Sequence, residues 1–281
     1  MEFVDFALLH QRLGITDMLS IECRDDMIAR IRFNIPYLCI KMKWGTSHDV
    51  LPTLSWRKKT VIWLDYDSPL DTKILDDIRL ATSSLVSGSM IVVTVEARPK
   101  EVDGDVNIAH ERLQALIRNV GEDRLPVVKD GGGTVRSLKG SDLAEWGLAR
   151  ASRQIIDAEI ARTLKDRNAP LDAQSRVSYE QLFNFHYADG ARMLTVGGII
   201  VHARDALRIP ESTFDMLEFV RRGHDPYLIE APVLTTRELT YLDSHLTAQG
   251  FRRAGWLPQA ECEKYKKVYR YHPTFAEVER S

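Results

Sequence analysis

The sequence predicts an α/β fold in which helices cover both faces of a mostly parallel, Rossmann-like sheet. Two runs of the chain, 60–65 and 90–95, are apolar along almost their whole length, which is typical of parallel strands buried on both sides. Between them, Ile74, Leu75 and Ile78 recur at helical spacing. A strand, a helix and a strand at this distance form a βαβ unit, whose crossover is almost always right-handed.

The other elements follow from the same two periodicities and from the residues that interrupt them. Gly14 ends a first helix, and Pro36 closes a second, charged one. We predict helices over 3–13, 24–32, 71–85, 108–117, 141–167 and 236–246, strands over 17–22, 38–42, 60–65 and 90–95, an apolar region over 193–201 and an extended segment over 227–234.

Composition places the chain among ordinary globular proteins. It has 281 residues, of which 44% are hydrophobic and 28% charged, and its formal net charge of −2 gives no global field toward nucleic acid or anionic lipid. Its three cysteines, Cys23, Cys39 and Cys262, are far apart, which excludes a disulfide framework and a C-x-x-C zinc site and fits a reducing cytoplasm. No apolar run approaches the ~20 residues that span a bilayer. We therefore expect a cytoplasmic protein without a membrane partner or a strong nucleic-acid signal.

Polar or acidic residues follow three of the predicted strands. Glu22 ends the first strand, the segment 45–49 follows the second, and Asp65 ends the third. In open parallel sheets, ligands bind beyond the carboxyl ends of the strands. We therefore expect Glu22 and Asp65 to border one ligand-sized cleft.

Each of these acids has a functional and a structural interpretation. An acid at the end of such a strand accepts hydrogen bonds from ribose hydroxyls, but Glu22 could equally cap the helix that follows. Asp65 could orient a nucleophile, bind an ammonium group or act as a base. A helix cap is the structural alternative there, although Asp67 and Ser68, directly before Pro69, fit that role better.

Other motifs favour structural interpretations. The eight histidines are dispersed without metal-ligand spacing, so we predict no metal site. The glycine run 131–133 lacks the ending of a phosphate-binding loop, and Gly197 and Gly198 lie inside an apolar run, where close packing or a bulge explains them. The segment 264–270 mixes aromatic and basic residues as single-strand binders do, but a solvated face explains it better.

An ordered set of segments carries a family resemblance. These segments are 5–10, 13–15, 20–22, 32–37, 61–66, 89–94, 187–190 and 193–198. Together they resemble class I S-adenosylmethionine-dependent methyltransferases, and most of all an uncharacterised prokaryotic group named "putative O-methyltransferases". The resemblance covers about 1–100 and 180–245.

The resemblance implies S-adenosylmethionine as the cofactor and methyl transfer to an unknown acceptor, without a metal. It places Glu22 on the ribose. It implies that the segment 45–49 lies near the adenine, and that Asp65 and Tyr66 face the methionine part and the substrate. The residues implied to bind the cofactor are Glu22, Gly45, Ser47, His48, Asp49 and Asp65, and those implied to act in catalysis are Asp65 and Tyr66.

The order and polarity of the predicted elements also suggest a division of the chain into three parts. These are a Rossmann-like cofactor-binding part (1–100), a helical insertion (101–175), and a part that completes the sheet and carries a C-terminal helical tail (176–281).

The chain departs from the family pattern at its start. Such folds begin with a strand and a glycine-rich turn that approaches the cofactor, whereas Met1 falls where that turn has already ended. We expect a truncated sheet that lacks its central strand, and an upstream coding segment that supplies the strand and the turn. The alternative is a catalytically silent Rossmann-like module that binds a protein or nucleic-acid partner. Another nucleotide-dependent enzyme using the same strand-end acids is a third hypothesis.

Overall fold

The computed structural model describes residues 3–99, 107–129, 133–247 and 250–270. The helices of this part are α1 (Val4–Leu13), α2 (Ile28–Phe33), α3 (Ser47–Val50), α4 (Thr72–Ser84), α5 (Ile108–Val120), α6 (Gly147–Asn168), α7 (Arg208–Glu211), α8 (Thr236–Ser244) and α9 (Gln259–Val268). The strands are β1 (Met18–Glu22), β2 (Ile40–Trp44), β3 (Val61–Pro69), β4 (Ser89–Glu96), β5 (Val127–Lys129), β6 (Val135–Ser137), β7 (Val177–Asp189), β8 (Ala191–His202), β9 (Tyr227–Ile229), β10 (Leu246–Thr247) and β11 (Gly250–Phe251).

The largest sheet has five strands in the order β3-β4-β8-β7-β9. β3 and β4 are parallel, as are β7 and β9, and β8 runs antiparallel between β4 and β7. Gly190 joins β7 to β8 in a tight turn at φ +69°, a conformation that favours glycine. The α/β class predicted from the sequence is confirmed.

A second, two-stranded parallel sheet consists of β1 and β2. Within the described ranges, β1 pairs with β2 alone and β3 pairs with β4 alone, so Glu22 and Asp65 belong to different sheets. The prediction that the strand ends at Asp65 is wrong, because β3 continues to Pro69 after an irregularity in its pairing with β4. The expectation of an upstream strand and glycine turn stays a prediction.

The strand at 61–69 corrects one sequence-based expectation. It was predicted to be buried on both faces, but Val61 is 64% exposed and Trp63 is 47% exposed. Leu64, on the other face, is buried against the helices. The reason is that the helices of the main core cover only the face of β3 that carries Leu64.

The main core lies between the five-stranded sheet and the pair α4 and α6. Ile91 and Val93 of β4 pack there with Ile78 of α4 and with Ile156 and Ile160 of α6. The helix predicted over 141–167 is present as α6, but it begins at Gly147 and its apolar residues pack in the main core. Glycine is required at its first position because a Cβ there would lie 1.7 Å from the carbonyl oxygen of Asp142.

Two smaller apolar clusters lie apart from the main core. One is formed by Phe3, Met18, Ile31 and Ile40 around β1 and β2, and the other by α8, α9 and the segment between them. None of the helices in the described part is long and apolar enough to cross a membrane. The limits of the three predicted parts, 1–100, 101–175 and 176–281, remain predictions.

Candidate functional site

The end of β1 holds Glu22 in a local turn. Its side-chain Oε1 accepts a hydrogen bond from the backbone N–H of Arg24 at 2.9 Å, and its carbonyl oxygen accepts one from the N–H of Gly45 at 3.0 Å. The carboxylate therefore closes a local turn. The helical turn over 25–27 and helix α2 both begin without a side-chain cap, so Glu22 does not have the helix-cap role of its structural interpretation. A contact between Glu22 and the ribose stays a prediction, based on the position of this acid at the end of a strand.

The end of β2 turns sharply into the short helix α3. Gly45 has φ +136°, which favours glycine, and a Cβ there would lie 3.2 Å from a methyl carbon of Val50. Thr46 caps the helix: its hydroxyl donates to Asp49 Oδ2 at 2.6 Å and accepts from the N–H of Asp49 at 3.3 Å. The carboxylate of Asp49 is thus engaged within its own turn.

A buried carboxylate that sequence reasoning missed connects α3 to β3. Asp77 of α4 is 2% exposed and accepts hydrogen bonds from Ser47 Oγ at 2.5 Å and from the Tyr66 hydroxyl at 2.7 Å. His48 Nδ1 lies 3.5 Å from its other oxygen. The available signal was an acid within the apolar face formed by Ile74 and Ile78, where a charge needs partners.

Tyr66 is directed into this cluster. Burial, followed by the hydrogen bond to Asp77, raises the pKa of Tyr66 well above its ordinary value. The phenol therefore stays protonated at neutral pH. Its oxygen lies 3.2 Å from Ser47 Oγ, so one side chain of β3 contacts the helix that follows β2.

Asp65 lies at a concentration of negative charge. Burial raises the pKa of Asp65, and the carboxylates of Asp5 and Asp67 raise it further, while a hydrogen bond from Thr94 opposes the shift. Burial also raises the pKa of Asp5.

The structure thus links the predicted site residues through α3. Gly45, just before α3, contacts the end of β1, and Ser47, the first residue of α3, contacts Tyr66 within β3. Whether Glu22 and Asp65 face one cleft stays a prediction. No three His, Cys, Asp or Glu side chains among the described residues form a group that could hold a metal ion.

A cavity of about 430 Å³ opens beyond the carboxyl ends of β3 and β4. Its lining comprises Pro69, Leu70, Glu96, Arg98, Pro99, Arg112, Ala115, Leu116, Asn119, Leu143, Leu148 and Ser152. Sequence reasoning missed this cavity because its walls come from four separate segments. One signal was present: positions 112, 115, 116 and 119 share a face of α5.

The glycine motifs fit structural roles where they are described. A Cβ at Gly198 would lie 2.2 Å from the carbonyl oxygen of Glu180, and one at Gly197 would lie 2.8 Å from that of Ile91. Both glycines therefore allow β8 to pair closely with its neighbours, as predicted. Of the run 131–133, the first two glycines lie outside the described residues.

Comparison with solved structures gives distant similarities. LepI in complex with SAM has 10% identity and a TM-score of 0.35, and the alignment covers 70% of this chain and 40% of that one. An O-methyltransferase family protein from Burkholderia thailandensis has 11% identity and a TM-score of 0.32, with 70% and 47% covered. The chain thus spans less than half the length of these proteins. No curated protein matches it.

Comparison with family models is more informative. The model described as "Putative O-methyltransferase" matches residues 1–280, which is nearly the whole chain. This match confirms the resemblance drawn from the ordered segments of the sequence. The chain belongs to this O-methyltransferase family.

Proposed function

We propose that the chain binds S-adenosylmethionine at the carboxyl ends of β1, β2 and β3 and transfers its methyl group to the oxygen of a small acceptor. The family match over residues 1–280 is the observation that carries the proposal. The polar ends of the three strands, joined through α3, support the location.

The side chains present fit this cofactor. S-adenosylmethionine carries an ammonium and a sulfonium group, and Asp65 lies with Asp5 and Asp67 in a region of negative charge. Opposite charges 4 Å apart attract by about 1–4 kcal/mol near a protein surface. We assign Asp65 to the cationic methionine part, where its carboxylate also helps to orient the reacting groups.

The ribose and the adenine are assigned to the other two strand ends. Glu22 accepts the ribose hydroxyls in addition to its own turn. The segment 45–49 contacts the adenine mainly through its backbone, because the side chains of Ser47 and His48 contact Asp77 and that of Asp49 contacts Thr46. Asp77 and Tyr66 then act as positioning residues that fix α3 against β3.

Methyl transfer depends more on positioning of the reactants than on acid–base catalysis. The acceptor oxygen forms a bond to the methyl carbon as the carbon–sulfur bond breaks, and the hydroxyl proton leaves to solvent or to a nearby base. S-adenosylmethionine supplies the activated methyl group when bound. The chain's residues hold the two reactants in line and exclude water, which can supply several kcal/mol of the barrier reduction.

Calorimetric titration with S-adenosylmethionine and with S-adenosylhomocysteine tests the proposal. The second ligand lacks the sulfonium charge, so a site with Asp65 beside the cationic part should bind the first more tightly. Adenosine serves as the control for simple purine binding. A folded chain that binds neither methionine-bearing ligand would contradict the proposal and favour the silent-module hypothesis.

One observation favours that second candidate function. Val61 and Trp63 are exposed along β3, whose outer edge has no strand beside it in the described ranges. An open, apolar strand edge can pair with a strand of another chain. A silent module would then use this edge to bind a protein partner.

A further inference from the structure

The cavity beyond the ends of β3 and β4 continues the main core. Its walls include Leu70, Leu116 and Leu143, which are each at most 4% exposed and belong to the same buried cluster as Leu64 of β3. At about 430 Å³ it has the size of sites for small molecules, which typically combine apolar walls with a few polar groups. A ligand that fills this cavity should therefore have an apolar body.

One polar side chain of the cavity wall is buried without a partner. Ser152 of α6 is 1% exposed, and among the described residues its hydroxyl has no hydrogen-bond partner. A buried hydroxyl in a helix often donates to a carbonyl one turn earlier, as that of Thr163 does to Glu159 at 2.8 Å. The hydroxyl of Ser152 instead keeps accessible surface, unlike the unpartnered hydroxyl of Thr82, which is sealed by its neighbours. The open space beside Ser152 is the cavity, so this hydroxyl is available to a ligand there.

An amide adds to the polar part of the wall. Asn119 of α5 lines the same cavity, and its side chain likewise has no hydrogen-bond partner in the part of the chain that the structure describes. An amide offers two N–H donors and a carbonyl acceptor, and a serine hydroxyl offers one donor and two acceptor lone pairs. The wall can therefore both donate to and accept from a hydroxyl group on the ligand.

The charged side chains of the wall are already engaged. Arg98 donates from Nε to Glu96 Oε1 at 2.8 Å, and its Nη2 lies 2.8 Å from the same oxygen. Arg112 also has an interaction of its own. Burying a charge without a partner is costly, and a charged ligand would have to disrupt one of these contacts to gain a partner. The chemistry of the wall therefore favours a neutral ligand.

The cavity and Asp65 lie on opposite faces of β3. Leu64 packs in the main core, and successive residues of a strand point to opposite faces, so Asp65 points away from the core. The cavity, which continues the core on the Leu64 side, is thus apart from the site proposed for the cofactor.

We propose that this cavity is a second ligand site, and that it binds a neutral molecule with an apolar body and one hydroxyl group. The hydroxyl group of the ligand bonds to Ser152, with Asn119 as a further polar partner, and the apolar body lies on the leucines. The proposal does not depend on methyl transfer, because none of these residues belongs to the proposed cofactor site.

Titration of the full chain with three naphthalene probes at pH 7, followed by fluorescence, tests the proposal. We expect the neutral 2-naphthol to bind about fivefold more tightly than 2-methylnaphthalene, the effect of one neutral hydrogen bond. It should also bind more tightly than the anionic 2-naphthoate. Ser152→Ala should remove the preference for 2-naphthol over 2-methylnaphthalene without lowering the unfolding temperature, because this hydroxyl supports no contact of the fold. Ser83→Ala is the matched control, because the hydroxyl of Ser83 bonds to the carbonyl of Leu80 at an exposed position of α4.

A cavity-filling variant locates the bound probe. Ala115→Phe adds a ring to the wall and should abolish binding of both neutral probes, and Ser152→Ala decides the test if that variant unfolds at a lower temperature. The proposal is overturned if the two neutral probes bind equally, if the naphthoate binds most tightly or if no probe binds. It is equally overturned if Ser152→Ala keeps the wild-type preference.

Repeating the titration with S-adenosylmethionine separates this proposal from the proposed function. The affinity for 2-naphthol should not change when the cofactor is present, whereas competition between the two would overturn the assignment of a second site. Discrimination between the probes by a chain that does not bind the cofactor would support the cavity site and defeat methyl transfer alone.

Discussion

Asp65 is proposed to bind the cofactor, and its ionised carboxylate should destabilise the folded chain. Its pKa is raised in the folded chain, which therefore holds the proton more readily than the unfolded chain. As pH rises through that pKa, Asp65 ionises and the folded chain loses stability. Asp65→Asn should therefore raise the free energy of unfolding at pH 7 by on the order of 0.5 kcal/mol, a small gain because the group is partly exposed. It should also weaken S-adenosylmethionine binding.

Calorimetric unfolding at pH 7 and pH 4 checks this prediction. The gain should shrink at pH 4, where Asp65 in the wild type is increasingly protonated. Asp26→Asn, which removes an exposed carboxylate near Arg24, is the control. A destabilised Asp65→Asn with unchanged affinity would assign Asp65 to the fold alone.

Substitutions can separate the two roles of Glu22, the cap of its own turn and the proposed ribose contact. Glu22→Ala removes both the cap on the Arg24 N–H and the proposed ribose contact, so cofactor affinity should fall by about 1.5–3 kcal/mol. Glu22→Gln keeps a side-chain oxygen for the cap and loses the charge. Titration calorimetry should then give an intermediate affinity with an unchanged unfolding temperature. Wild-type affinity in Glu22→Ala would leave only the cap.

His186 should make stability depend on pH. Its side chain is 2% exposed and stacks on Trp146 at 4.8 Å, and Nε2 has no hydrogen-bond partner among the described residues. Burial, followed by the charges of Arg150 and Arg153, lowers its pKa to about 4 from 6.5. The unfolded chain thus binds the proton more readily, so stability is complete above pH 6.5 and is lost as pH falls toward 4.

Urea unfolding between pH 4 and pH 7 measures that loss. At about 1.4 kcal/mol for each pH unit of difference, His186 accounts for up to about 3 kcal/mol. His186→Phe should flatten the dependence, whereas His245→Phe, at an exposed position, should leave it unchanged. Equal pH dependence in all three proteins would exclude His186 as its source.

Single residues show where sequence reasoning succeeds and where it stops. Glu22 was found because a strand and its last residue are adjacent in sequence, and Asp65 was found because it follows an apolar run, although β3 continues beyond it. Asp77 was missed because its partners, Ser47 and Tyr66, come from two other elements and only the folded chain brings them together. The interpretation of each acid likewise depended on contacts, such as the Arg24 N–H, that a pattern does not specify.

Between β4 and β7, the hairpin of β5 and β6 is the element most exposed to local opening. It has three residues on each strand and belongs to neither larger sheet, and isolated two-stranded hairpins are marginally stable. Arg136 anchors it by two hydrogen bonds of 2.7 Å to Asp142, and this contact lowers the pKa of Asp142 to about 2. Limited trypsin digestion should therefore cut first at Lys129.

Asp142→Asn tests the anchor. Replacing the carboxylate weakens the contact with Arg136, so the first cut should come several times sooner, as mass spectrometry of the fragments would show. Asp123→Asn changes an exposed acid of the same region and should not alter the rate. First cuts within β3 or β4 would contradict the layout.

Helices and strands were located correctly where the local periodicity of apolar residues was strong. α4 was located from its apolar spacing, and the βαβ unit followed from it. The helix at α6 was located but misjudged as peripheral, because its sequence contains many charged residues, and burial of Arg153 and Glu159 depends on partners in other elements. The antiparallel direction of β8 depends on its pairing with β4 and β7, which no local pattern specifies.

At the scale of the molecule, the two sheets should differ in protection. β1 and β2 rest on a cluster built around four buried residues, whereas β4 and β8 are central strands over the main core. Hydrogen exchange followed by mass spectrometry should show faster exchange over 18–44 than over 89–96 and 191–202. Equal protection would show that the two sheets open as one unit.

The short helix α3 gives the molecule a joint, since it contacts β1 on one side and Asp77 and Tyr66 on the other. A ligand held across this joint crosslinks the two sheets without a covalent bond. Ligand present at 100 times its dissociation constant adds about 2.7 kcal/mol to the folded state. If S-adenosylmethionine is that ligand, as proposed, the lifetime of the protein in a cell would follow the supply of the cofactor.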